Sequence, residues 1–477
     1  MTTITLIQPR HNYAPPREES TLGHVYMPTS LMTAGARLLH ADVEVQFFDE
    51  NVNPVPFLDS HYVGINLLGT PYIPEVINLQ HRFAQEADKS LHFLLGGQVV
   101  SGLTPVQFQR LFGDQAYNAH NGNDDTILTR VLKIDPRSLP HSEQTSLVPM
   151  YEKLSDREME LYLTREFSLY VSQGCKFVCD FCAAVRTRED PFTGETIRVN
   201  ETYRNPAVLE QDLAYLAGRA KRLNISTLQI YMSNLDVFQT PDRVLAFAKI
   251  VKKVRNDSGI LIELRGLSAV SSFFDARKDC PASITELVEA GFHTVGFGVD
   301  GMTANVWQAI RKGHNTEEKC LEVIRSARED FGLTPEILMV FGHEGKTKDG
   351  KPKDTPETLR LAYEFMRDMG ERYDAVPRPH VAKSFVPGND GWFALENTNR
   401  IARLLDDPET FQCLDFTAIP TEFTHSDPTL RNATIDYYTQ SCMLPGSTTS
   451  LVFPITPDMS TSSRTQIMIR NRGKYDR

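Results

Sequence analysis

Over residues 1 to about 133, short runs rich in β-branched and aromatic residues recur at Thr3–Ile7, Val43–Phe48, Tyr62–Leu68, His92–Leu95 and Ala116–Ala119, and these read as strands. Between them apolar residues fall at helical spacing. Leu31, Met32, Leu38 and Leu39 follow Pro28, which sits where a first-turn proline belongs, and Ile73, Val76, Ile77 and Phe83 make a second stripe. Strand and helix alternating in this way predict a parallel, doubly wound sheet. A polar, proline-bearing stretch, from Asp135 and Pro136 through Arg137, Ser138 and Leu139 to Pro140, reads as a linker.

After it the alternation restarts with longer units. Strands are expected at Ser168–Ser172, Leu228–Met232, Leu261–Leu264, Thr294–Val299, Ile337–Phe341 and His380–Phe385, with helices at Val244–Val254, Ile284–Ala290, Glu317–Arg328 and Thr358–Met369 among others. Six such units match part of an eight-unit barrel, whose site lies at the C-terminal ends of its strands. The chain from Gly391 is less periodic, and Thr456–Arg477 is polar and then basic. The expected fold is α/β: a Rossmann-like doubly wound sheet over 1–133, a linker over 134–165, a partial (β/α)6 TIM-type barrel over 166–390 and a C-terminal extension over 391–477.

Composition narrows the function. A length of 477 residues with 41% hydrophobic positions excludes a small binding module and global disorder. A net charge of −11 argues against a nucleic-acid backbone as partner. No run of about 18 apolar residues is present, and the N-terminus lacks the basic-then-apolar pattern of a signal peptide. A cytoplasmic protein with no membrane partner is expected. Seven cysteines are too few and too uneven for a disulfide framework, and three of them lie within eight residues.

Those three, Cys175, Cys179 and Cys182, form C-x3-C-x2-C directly after the first expected barrel strand. Three soft thiolates on a short loop can hold three irons of a cubane cluster and leave the fourth iron open, whereas a structural zinc site closes with four ligands. The zinc alternative would recruit a distant Cys280, Cys320, Cys413 or Cys442, none of which lies in a second CxxC pair.

The loop resembles the signature of the radical S-adenosylmethionine (radical SAM) enzymes. The resemblance continues through Leu287–Phe292, Val295–Gly301, Ile310–His314, Phe341–Thr347 and Phe385–Asn389, which follow the family's fourth, fifth and sixth strands. It implies a [4Fe-4S] cluster on the three cysteines and reductive cleavage of S-adenosylmethionine to a 5′-deoxyadenosyl radical. It also implies an external electron donor such as flavodoxin or ferredoxin, and an adenine packed near the aromatic residue before the third cysteine, here Phe181. For the remaining contacts to S-adenosylmethionine the candidates are Ser233 after the second strand, Asp300 where the family usually has Glu-Ser, and Arg265. Arg265 reads equally well as a salt-bridge residue.

A Rossmann-like domain ahead of such a barrel resembles the cobalamin-binding domains of one radical SAM group. Asn66-Leu67-Leu68-Gly69-Thr70 closes the third strand and Gly96-Gly97-Gln98 the fourth, and the 27 residues between Leu68 and Gly96 (69–95) fit the family's Ser-x-Leu and Gly-Gly spacing with Asn66 in place of serine. Both loops belong at the strand edge where open α/β sheets bind cofactors. A dinucleotide site is the poorer reading, since Gln8-Pro9-Arg10-His11 rather than G-x-G-x-x-G follows the first strand. Asp59-Ser60-His61-Tyr62-Val63-Gly64 matches Asp-x-His-x-x-Gly, but it runs straight into the third strand, so His61 is not expected to ligate cobalt. Gly122-Asn123-Asp124-Asp125 departs from the family's Gly-Glu-Gly-Glu, and Thr104-Pro105 fits both the family loop and an ordinary helix start.

The expectation is a cobalamin-dependent C-methyltransferase acting on a small molecule. Two alternatives stay open: a dehydratase, eliminase or rearrangement enzyme with a vestigial N-terminal domain, and a non-catalytic iron–sulfur or zinc protein. The absence of cysteine in residues 1–174 argues against a methylthiotransferase, and Cys413 and Cys442 alone do not make the cysteine-rich C-terminus of an auxiliary cluster.

Overall fold

The computed structural model describes residues 2–10, 26–56, 60–86, 90–119, 124–184, 188–189, 196–197, 201–347 and 349–448. The expected strands of the N-terminal region form as β1 (Thr3–Gln8), β2 (Glu44–Asp49), β3 (Tyr62–Asn66), β4 (His92–Gly96) and β5 (Ala116–Ala119). They pair in parallel in the order β2-β1-β3-β4-β5. Strand order reverses at β1, so the loops after β1 and β3 diverge and open a crevice at the carboxyl edge. The helices α1 (Thr29–His40) and α2 (Tyr72–Glu86) carry the two stripes read from sequence. α3 (Pro105–Phe112) starts on Thr104, whose side chain accepts from Gln107 N while Pro105 takes the first helical position.

The second sheet is parallel and six-stranded, and its strands lie in chain order: β6 (Glu166–Leu169), β7 (Thr227–Met232), β8 (Leu261–Ala269), β9 (Phe292–Gly298), β10 (Thr334–Phe341) and β11 (Val376–Val381). Phe167, Leu228, Ile230, Ile262, Leu264, Val295, Ile337 and Val381 turn to the helix layer and join the main core. Residues of the other parity face the lumen, where Arg265 bridges Glu166 and Glu336, and Arg378 also reaches Glu336 at 3.0 Å.

Three strand expectations need correction. β8 runs on to Ala269, since Arg265 looks like a strand end in sequence but is satisfied inside the barrel by Glu166 and Glu336. β11 is Val376–Val381 rather than His380–Phe385, because Pro377 and Pro379 disguise it. β11 is an edge strand, and the Val381 N–H, of the same parity as those prolines, points away from β10 to Phe416 O at 2.6 Å. The prolines therefore remove no ladder bond. β6 also stops at Leu169, and Ser172–Gln173 pairs antiparallel with Thr202–Tyr203 instead.

The stretch read as a linker is exposed over 135–138 but packs into the core from Leu147 onward. Leu147, Met150, Tyr151, Met159, Tyr162 and Leu163 share one core with β1 and with β6. The Tyr162 hydroxyl donates to Asp49 Oδ2 at 2.7 Å. Arg204 and Asp212, both fully buried, pair at 2.7 Å. Asp212 also accepts from Ser146 Oγ and Leu147 N, and Arg204 donates to Thr145 O at 2.6 Å, which ties the connection to the helix Pro206–Arg222.

The segment after residue 390 is no loose appendage. Trp392, Ile401, Leu404, Phe411 and Leu414 pack in the second core with α2, β3 and β4, while the helix Pro428–Cys442 covers β11. Thr456–Arg477, Asp59, His11 and the Gly122-Asn123 part of the departing motif lie outside the described residues.

Removing one member of a buried ion pair strands the other charge. Asp212→Ala is therefore expected to lower unfolding stability by about 3 kcal/mol or more in a denaturant titration, while Asp135→Ala, which breaks an exposed pair with Arg137, should lower it far less.

Candidate functional site

Gly174 leads the chain out of the barrel's first unit into the cysteine loop. Asp180 N bonds Ile310 O at 3.2 Å, Lys176 N bonds Gln239 Oε1 at 2.9 Å, and Asp390 N bonds Asp180 O at 3.4 Å. Lys353 pairs with the Asp180 carboxylate. The loop is thus held by segments that follow β7, β9, β10 and β11. Burial pushes the Cys179 thiol up to about 12 and Cys175 to about 11, with Lys312 opposing the shift at both. The three sulfurs lie near enough for charge on one to act on the others. Among the described residues no group of three or more His, Cys, Asp or Glu side chains is already arranged to hold a metal ion.

Around the loop lie the residues singled out in the sequence. Phe181 is half-buried, its ring centroid 5.3 Å from that of His343. Ser233, at the end of β7, is half-buried and anchored through its backbone, N to Leu169 O at 2.9 Å. Its neighbour Asn234 is buried, donates to Ser172 Oγ at 2.7 Å, and leaves Oδ1 enclosed without a hydrogen-bond partner.

Asp300, in a left-handed backbone conformation after β9, is buried with its carboxylate bound to Lys312. Lys312 also donates to Gly298 O at 2.7 Å, and the carboxylate holds its ammonium above the ordinary lysine range against the cost of burial. The Asp300 carboxylate is therefore committed to a partner within the chain. Of the two readings of Arg265, its contacts favour the salt-bridge one. It sits four residues short of the end of β8, bidentate to Glu336 at 3.0 and 2.7 Å and bonded to Glu166 at 3.0 and 3.1 Å.

At the carboxyl edge of the first sheet, Asn66 is buried and donates to Gln8 Oε1 at 3.0 Å, closing the crevice floor between β1 and β3. Leu68 at the loop tip is 44% exposed, Gly69 is half-buried and Thr70 is buried where α2 begins. Gly97 has φ +115°, and a Cβ there would collide with the Leu67 carbonyl, so this glycine is required by the packing of one loop on the other. Gly96 has only Ala119 O nearby at 3.0 Å, and the Gln98 carbonyl accepts from Ser101 Oγ at 2.7 Å. His61 stands exposed just before β3, at the opposite end of the strand from these loops.

The two carboxyl edges meet. Gly102, after β4, lies so close to Pro387 and Gly388, after β11, that a Cβ would overlap their backbone. Trp392 Nε1 donates to Gln107 Oε1 at 3.2 Å beside that contact. Lys312, His343 and Asn234 were inside or next to the motifs already quoted, but their roles depend on contacts between strands far apart in the chain. His343 bonds Asp300 O at 2.9 Å, and its backbone N–H donates to Asp354 Oδ2 at 2.9 Å.

No protein-family model matches the chain. A curated relative, bacteriochlorophyllide d C-8(2)-methyltransferase of Chlorobaculum tepidum, is 26% identical over 167 residues, and the match spans 35% of this chain and about a third (33%) of the relative's length. The radical S-adenosylmethionine methyltransferase TsrM from Kitasatospora setae, with tryptophan substrate and the S-adenosylmethionine analogue aza-SAM bound, superposes with a TM-score of 0.58 at 14% identity over 82% of this chain and 75% of that one. With cobalamin and a [4Fe-4S] cluster bound, TsrM gives 0.56 at 15% identity, over 80% of this chain and 75% of that one. OxsB, a cobalamin-dependent S-adenosylmethionine radical enzyme with aqua-cobalamin bound, gives 0.54 at 15% identity over 77% of this chain and 52% of that one. A doubly wound sheet joined at its carboxyl edge to a six-stranded partial barrel is thus the fold this chain shares with the cobalamin-dependent radical SAM enzymes.

Proposed function

We propose that the protein is a cobalamin-dependent radical SAM methyltransferase that acts at a carbon of a small molecule. The observation that carries this reading is the contact of Gly102 with Pro387 and Gly388, which brings the edge bearing Asn66–Thr70 and Gly96–Gln98 against the mouth bearing the cysteine loop. Two cofactor sites drawn toward each other in this way would serve a reaction that uses both, and proximity of bound groups is most of what a protein adds to such chemistry. When bound, the [4Fe-4S] cluster with S-adenosylmethionine supplies a hydrogen-abstracting radical, and cobalamin supplies a transferable methyl group.

The residues fit these groups. Cys175, Cys179 and Cys182 are the soft donors that hold the cluster, and Lys312 next to Cys179 offsets the negative charge that coordination develops on sulfur. The enclosed Oδ1 of Asn234 is an acceptor without a partner in the chain, suited to the amino group of S-adenosylmethionine, with Ser233 beside it. Phe181 offers a face to the adenine, and Asp300 acts by fixing Lys312. On the other edge the exposed Leu68 and half-buried Gly69 present an apolar, small-residue surface to a corrin, with Thr70 and Gln98 flanking it. His61 is remote from that edge, so cobalt takes no ligand from it.

Anaerobic reconstitution should load about four irons and four sulfides per chain, and Cys175→Ala, Cys179→Ala or Cys182→Ala should abolish cluster absorbance. One zinc per chain with no iron uptake would overturn the reading. With its substrate, the enzyme should release 5′-deoxyadenosine and S-adenosylhomocysteine together. 5′-Deoxyadenosine without S-adenosylhomocysteine, with or without added cobalamin, would replace methyl transfer by elimination or rearrangement.

The two loop glycines separate binding from folding. A Cβ at Gly69 would make only ordinary contact, 3.5 Å from Pro71, so Gly69→Val should keep the melting temperature of the cofactor-free chain and weaken hydroxocobalamin binding measured by visible absorbance. Gly97→Ala should lower the melting temperature without any cofactor, by strain worth about 1–3 kcal/mol. His61→Ala should leave the cobalamin spectrum unchanged.

A further inference from the structure

Asp180, between the second and third cysteines of the motif, is tied to three different connections of the barrel mouth. Its N–H donates to Ile310 O after β9 at 3.2 Å, its carbonyl accepts from Asp390 N after β11 at 3.4 Å, and its carboxylate holds the ammonium of Lys353 after β10. The first two bonds use the backbone and are open to any residue at position 180. Only the third requires an acid there and a base at position 353. With side chains 11% and 23% exposed, the pair is better shielded than the surface pairs that solvent screening makes nearly worthless.

Lys353 is itself held firmly. Its N–H donates to Gly345 O at 3.0 Å, and Lys346 and Pro352 bridge, so the excursion after β10 closes on itself. The next residue, Asp354, is buried and accepts through Oδ2 from Gly342 N at 3.2 Å and His343 N at 2.9 Å, and through Oδ1 from the Thr358 hydroxyl at 2.7 Å. His343 then lays its ring against Phe181. One connection thus meets two successive residues of the cysteine loop, Asp180 through Lys353 and Phe181 through His343, and Asp354 locks the two contacts together. The loop is also registered to the joint between the sheets. Asp390 lies between Gly388, which touches Gly102, and Trp392, which bonds Gln107, and its carboxylate pairs with Arg311 at 2.6 Å.

We infer that Lys353 is a positioning residue for the reaction: through its ion pair with Asp180 it sets the pose of the cysteine loop, and so of the S-adenosylmethionine bound there. Three thiolates can keep a cluster on a loop that has shifted, but a misplacement of about 1 Å caused far from the chemistry can cost about 100-fold in rate. The inference rests on the proposed function, since it takes this loop to be the seat of the cluster.

Lys353→Met, Lys353→Arg, Asp180→Ala and the double variant of Lys353→Met with Asp180→Ala are to be compared with wild type as full-length chains. In the cofactor-free proteins, hydrogen–deuterium exchange read by mass spectrometry should quicken about fivefold over the cysteine loop in Lys353→Met, the size of a coupling between contacting residues, while exchange in β9 keeps its wild-type rate. After anaerobic reconstitution Lys353→Met should carry as much iron and sulfide as wild type, because the three cysteines are untouched. It should nevertheless bind S-adenosylmethionine about tenfold more weakly, and the paramagnetic resonance spectrum of its reduced cluster should respond differently to S-adenosylmethionine. Lys353→Arg, which keeps the charge, should restore most of both. The double variant should be no worse than Asp180→Ala alone, since both changes remove one interaction.

Equal loop exchange in Lys353→Met and wild type, or equal S-adenosylmethionine affinity at equal cluster content, would overturn the inference. So would exchange that quickens in β9 as much as in the loop, which would mark Lys353 as a general stabiliser, and so would additive weakening in the double variant. A wild-type chain that takes up no iron would sink the proposed function instead. The two failures are told apart because the exchange difference is measured without any cofactor.

Discussion

The close approach of Gly102 to Pro387 and Gly388 is the constraint on which the rest of the arrangement depends. Each sheet on its own directs its loops to its carboxyl edge, as parallel α/β sheets do. In this chain the two edges are brought backbone to backbone. A side chain at position 102 would hold them apart, and the Trp392–Gln107 bond and the second core, which mixes β3, β4 and α2 with Phe385, Trp392 and Phe411, hold the contact closed. The C-terminal segment is accordingly part of the joint.

Polar residues are distributed to suit that geometry. In the lower half of the lumen Glu166, Arg265, Glu336 and Arg378 neutralise one another, so the barrel floor is satisfied within the chain and makes no demand on a ligand. Toward the mouth the groups are unfinished: Asn234 Oδ1 and His380 Nδ1 lack partners, and Lys383 has one neutral acceptor. Buried polar atoms are normally paired.

Much of this was legible in the chain itself. Alternating apolar periods yielded the five strands of the first sheet and placed β7, β9 and β10 of the barrel, with β6, β8 and β11 displaced or cut short, since strands buried against helices carry unbroken apolar parity. The C-x3-C-x2-C loop and the Leu68–Gly96 spacing were local and readable. Errors arose where a residue's character is set by a partner remote in sequence. Arg265 looked like a strand end because Glu166 and Glu336, its reasons for lying inside β8, are 99 and 71 residues away. Pro377 and Pro379 hid β11 because edge status is a property of the sheet. The stretch after Pro140 read as a linker because its opening is polar, although Leu147, Met150 and Tyr151 are fully buried.

Asp300 shows how a sequence departure can keep a site's logic while changing its actor. The shorter side chain, in a left-handed turn, closes on Lys312 rather than reaching outward, and Lys312 then stands over Gly298 and beside Cys179. A Cβ at Gly298 would come within 2.8 Å of that ammonium and 3.0 Å of the Asp300 carboxylate, so the strand end is shaped around the pair. The positive charge near the cysteine loop is thereby fixed in place by a neighbour from the same turn. An electropositive element next to thiols favours their charged form, against the burial that raises Cys175 and Cys179. The fold thus supplies, at one point, the enclosure that excludes water and the countercharge that such enclosure makes necessary.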